Sequence, residues 1–80
     1  MTQSLEATLA AVRTATTLGE LTELANQRLR RGQKIDVAEV EELGEHLFHI
    51  VADELPGGSE ARCVVLMCER RAGELSRAAA

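Results

Sequence analysis

Aromatic side chains are nearly absent from this 80-residue chain: one Phe, no Tyr and no Trp. That disfavours a base-stacking platform for nucleic acid and an aromatic cage for a cation. Proline occurs once, and Ala is abundant, so the composition leans to helix. No apolar run approaches the roughly 20 residues needed to span a bilayer. The opening Met1-Thr2-Gln3-Ser4-Leu5-Glu6 has no basic region before an apolar stretch and does not read as a secretory signal. Cation excess is also lacking: the net charge of −4 offers no general attraction to phosphate backbones. Lys is scarce as well, with Lys34 alone against eight Arg, a bias that points to a GC-rich bacterial or phage genome.

Two cysteines are present, Cys63 and Cys68, inside the apolar run Cys63-Val64-Val65-Leu66-Met67-Cys68. Five residues of helix turn through about 500°, so the thiols diverge by roughly 140° and do not bridge. No third thiol offers a metal set. They read as two small buried hydrophobes in a reducing cytoplasm, with an intermolecular disulfide or a reactive thiol as the alternative.

What remains is a globular composition, 45% hydrophobic and 28% charged, in one domain spanning residues 1–80. Leu5, Leu9 and Val12 mark a first helix near 3–16, capped by Thr2 or Ser4. Thr17 and Glu20 have the spacing of a capping box, so we place a break before a second helix near 17–31. One long helix from 2 to 31 is the alternative. Gly32 is placed to end that helix in the left-handed region, with Arg28, Arg30 and Arg31 in its last turn. Asp36 as N-cap, Glu39 three residues on, and Ile35 with Val40 as a staple start a third helix near 36–55. Pro56-Gly57-Gly58 stops it, and Ser59 caps the last helix, near 59–77.

The expected fold is therefore all-α: a small antiparallel bundle of three to four helices with a C-terminal αα-hairpin. In that hairpin Val40, Leu43, Leu47 and Ile50 face Val65, Cys68, Ala72 and Leu75.

Chemistry is sparse. His46 and His49 share helical faces with Glu42 and Glu45, which raises a metal or a pH-sensing pair. A bundle metal site needs Glu-x-x-His and inward carboxylates from other helices; both are missing, and solvated pairs are the better reading. Ser4, Ser59 and Ser76 lie in no nucleophile turn, and no glycine-rich phosphate loop is followed by Lys. We expect no enzyme activity, no metal and no cofactor.

Charge is segregated. Residues 35–60 hold eight acidic groups and no Lys or Arg. This pattern can act within one chain, between copies or towards a basic partner. The basic group Arg28, Arg30, Arg31 and Lys34 is the candidate surface for a charged partner, including nucleic acid, although the acidic helix after it would repel phosphates.

The expected function is a small non-catalytic protein-binding module of adaptor, chaperone or inhibitor type, acting in the cytoplasm without a membrane. The alternative is a nucleic-acid-associated regulator. So small a chain buries only about 60% of its unfolded surface. Cys63, Leu66 and Met67, with Phe48 from the neighbouring helix, are therefore the expected homodimer interface. If helix 3–16 covers that surface, the chain is instead a compact monomer; a different protein is the other possible occupant.

Overall fold

The computed structural model describes residues 3–79, and these are all helical apart from turns and connections. The elements are α1 (Leu5–Thr14), α2 (Leu18–Asn26), a 3-10 turn at Arg31–Gln33, α3 (Val37–Leu43), α4 (Glu45–Asp53) and α5 (Glu60–Ala79). Among the described residues there are five α-helices, against the expected three or four. At 1.5 Å per residue α5 is roughly 30 Å long, close to the longest dimension of the molecule, 34 Å. It is the spine on which α1, α2 and α4 pack.

Local chemistry sets most of the boundaries. The Ser4 hydroxyl accepts from the Ala7 amide at 3.2 Å and starts α1; Thr2 lies outside the described residues. The chain breaks after Thr14, where Ala15 is extended. Thr17 restarts it by accepting from the Glu20 amide at 3.1 Å. The reciprocal half of that box differs from the usual one. The Glu20 carboxylate accepts from the Thr16 and Thr17 hydroxyls at 3.0 and 3.2 Å, which holds its pKa below the ordinary carboxylate value. Asp36 caps α3 by accepting from Ala38, and the staple residues Ile35 and Val40 are both buried. Ser59 caps α5 by accepting from the Arg62 amide at 3.2 Å.

Three expected boundaries are corrected. The second helix stops at Asn26, not near Arg31. The Asn26 side chain donates to the Ile35 carbonyl at 2.9 Å and accepts from the Ile35 amide at 2.8 Å. That two-way bond turns the chain back before another helical turn can form. Gly32 is consequently no left-handed cap; it sits in the 3-10 turn, and the positive-φ glycines are Gly44 and Gly58. Arg28, Arg30 and Arg31 thus fall outside the last turn of α2.

The third correction concerns helix 36–55, which is cut at Gly44 into α3 and α4. Gly44 has φ 66° and ψ −149°, backbone essentially reserved for a residue without Cβ. The break resets the helical phase. Val40 before it is fully buried, but after it the core positions are Phe48 and Ala52. Leu43 and Ile50, expected against α5, are 45% and 51% exposed. On α5 the seam Val65, Cys68 and Ala72 is buried as expected, joined by Val64; Leu75 is half-buried and Ala79 exposed. Val12, Leu21, Val40, Phe48, Val64 and Val65 form the centre of the core.

Candidate interaction surface

α5 brings one strip of its surface outward. Residues three and four apart on a helix are neighbours, so Cys63, Leu66, Met67 and Arg70 lie together. Cys63 is exposed, which corrects its reading as a buried hydrophobe, whereas Leu66 and Met67 are half-buried and rest against the core. Phe48 does not join them. It is fully buried, because the phase shift at Gly44 turns it into the core; its place in the expected interface is withdrawn.

Beside this strip a groove runs between α1 and α5, lined by Val12, Arg13, Met67, Arg70, Arg71 and Glu74. Arg71 is fixed there: its Nε donates to the Ala15 carbonyl at 2.9 Å, and its guanidinium meets Glu74 at 3.1 Å. Arg70 reaches Glu74 only at 4.0 Å. Arg13 has no carboxylate within 4.0 Å among the described residues. Three guanidiniums and the Glu74 carboxylate thus rim the groove, over half-buried Met67 and fully buried Val12. Local sequence pattern does not reveal this site, because Arg13 and the Arg70–Arg71 pair are far apart in the chain and share no motif.

The basic group chosen from sequence is divided by the fold. Arg28 is a tie. Its side chain is only 13% exposed; its guanidinium meets Glu60 at 3.1 Å, donates to Thr8 Oγ1 at 3.1 Å and to the Gln3 carbonyl. Lys34 Nζ donates to the Asn26 carbonyl at 3.1 Å. Arg30 and Arg31 are exposed.

His46 is exposed, and His49 stands between Glu69, with Nδ1 at 3.2 Å, and Asp53, with Nε2 at 3.6 Å. Among the described residues no group of three or more His, Cys, Asp and Glu gathers as a metal site. Cys68 is buried with its Sγ 3.5 Å from the Leu21 carbonyl, and burial pushes its thiol up to about 12. Among the described residues no helix is long and apolar enough to cross a membrane.

A second surface went unrecognised in the sequence. The α3–α4 side exposes Val37, Leu43 and Ile50 among acidic residues. Its sequence signal is the lone glycine at 44 within an otherwise continuous helical pattern.

No family model, no curated protein and no solved structure matches the chain.

Proposed function

We propose that the chain is a small non-catalytic protein–protein interaction module, of adaptor, chaperone or inhibitor type, that self-associates through the outward strip of α5. The observation that carries this reading is the strip itself: exposed Cys63 and half-buried Leu66 and Met67 lie beside a groove rimmed by three guanidiniums and the Glu74 carboxylate. Shielding a Leu or Met side chain from water is worth about 1.5–3 kcal/mol, a large share of a small domain's net stability. A partner seated on the strip recovers what the fold leaves half-covered. In this reading α4 and α5 form an antiparallel αα-hairpin that holds the strip rigid. Two thiols without a disulfide suit a reducing compartment, the cytoplasm.

The nucleic-acid reading has less support. Two of its four cations, Arg28 and Lys34, already bond within the chain. The acidic α3 and α4 follow directly, and like charge there opposes phosphate.

Sedimentation at micromolar concentration tests the proposal. We expect a mass above 8.7 kDa, and Leu66→Glu should restore the monomer while leaving the helical circular dichroism intact. A wild-type chain that stays at 8.7 kDa overturns self-association.

A further inference from the structure

The charge segregation along the chain is left almost unused by its own fold. Within residues 35–60, Glu60 is the carboxylate that has a Lys or Arg within 4.0 Å among the described residues, from Arg28. Elsewhere Arg13, Arg62 and Arg77 have no carboxylate within that distance among the described residues. Intrachain docking of opposite charges therefore takes up only part of this pattern: Arg28 meets Glu60, and the Arg77 guanidinium and the Glu45 carboxylate both crowd Gly73.

The acidic surface also has a specific chemistry. Exposed Leu43 and Ile50 lie near its carboxylates in the chain, with Val37 about 120° from Leu43 around α3. A purely apolar partner would bury those carboxylates unpaired, and a purely cationic one would leave Leu43 and Ile50 in water. The complement needed is an apolar floor with a cationic rim. The groove between α1 and α5 comes near that composition: half-buried Met67 lies in it over fully buried Val12, and Arg13, Arg70 and Arg71 stand around it, three cations against the one carboxylate of Glu74.

The same molecule cannot bring the two together. α4 meets α5 where His49 contacts Glu69, and the end of α1 meets it where Arg71 bonds Ala15. On a helix, positions 69 and 71 are about 200° apart. α1 and α4 therefore pack on opposite sides of the spine, and Arg70 between them lines the groove and also a pocket with Glu45 of α4. A two-fold contact would set groove against groove, cation against cation. A head-to-tail contact sets each surface against its complement.

We infer that the acidic α3–α4 face of one copy docks into the Arg13–Arg70–Arg71 groove of a second copy. This rests on the self-association proposed above and makes it heterologous, closing into a ring or extending as a chain. The second copy is the occupant because one chain carries both halves of the complementary pair.

Sedimentation velocity of the full chain at rising concentration tests this with two charge reversals, circular dichroism serving as the folding control. One is Arg13→Glu with Arg70→Glu. The other is Glu39→Arg with Glu54→Arg, each one helical turn from Leu43 or Ile50. Wild type should exceed 8.7 kDa increasingly with concentration, and return to the monomer near 1 M salt, where screening acts over about 3 Å. Each reversed variant alone should stay monomeric. An equimolar mixture should assemble, because the acidic groove of one meets the basic face of the other. If the Glu39→Arg, Glu54→Arg variant associates as wild type does, the head-to-tail contact is wrong while self-association stands. A mixture that stays monomeric also overturns it. A monomeric wild type at low salt removes both.

Discussion

Residues 60–79 and residues 37–53 are two successive helical stretches with apolar stripes of similar spacing, yet they treat the core differently. α5 runs unbroken for 20 residues, and Val65, Cys68 and Ala72 stay on its buried side. The earlier stretch has Val40 buried and Leu43 already exposed within α3, then changes phase at Gly44, so that Ile50 faces water and Phe48 and Ala52 face inward. An apolar spacing of three and four identifies a buried face only while the helix carries its phase forward. One residue with φ 66° is enough to hand the core positions after it to Phe48 and Ala52, leaving Leu47 half-buried and Ile50 as surface.

That comparison is broken most severely at Phe48. Phe48→Ala should cost about 3–5 kcal/mol, as for fully buried Phe elsewhere, whereas Ile50→Ala should stay within about 0.5 kcal/mol. Urea denaturation of the two variants measures the contrast. Equal losses would mean that the phase does not shift. A smaller effect is expected at the break itself. A Cβ at residue 44 meets nothing within 4 Å, so Gly44→Ala carries only the backbone strain of its positive φ, about 1–3 kcal/mol. A variant as stable as wild type would show that α3 and α4 can merge into one helix.

An effect silent at neutral pH distinguishes the two faces of α5. The Cys68 thiol is raised from 9.0 to about 12 by burial. The folded chain keeps a proton that the unfolded chain gives up, so this group's contribution is complete below pH 9.0 and is lost as pH rises towards 12. Melting temperatures across that window should decline less in Cys68→Ala. Exposed Cys63 should react with a thiol reagent in the native state, and Cys68 only on unfolding.

Much of the architecture was legible because its signals are local. Ser4, Asp36 and Ser59 cap helices within three residues of themselves, and the Val65–Cys68–Ala72 seam needs only one intact helix. The break at Thr17 was readable for the same reason. What escaped depends on distance or on dihedral angles. Gly32 and Gly44 are both isolated glycines next to helical pattern, and only the folded backbone shows which takes positive φ. The end of α2 hangs on a bond from Asn26 to Ile35, nine residues away. Arg28 looked like surface charge because Thr8 and Glu60 approach it only once the helices pack. Of the candidate strip, Cys63, Leu66 and Met67 could be named from α5 alone. The guanidinium rim joins two helices from opposite parts of the chain and has no counterpart in any local pattern.

The paired bonds between Asn26 and Ile35 have one more consequence. They reproduce with a side chain the double rung that two strands make with backbone, and they do so in a stretch without regular helix. For the Ile35 amide to exchange its hydrogen with solvent, that rung must open and the buried Ile35 side chain must loosen with it. Opening at Ile35 is therefore tied to the body of the molecule rather than to the exposed residues that precede it. A slow-exchanging amide at Ile35 reports on opening of the core.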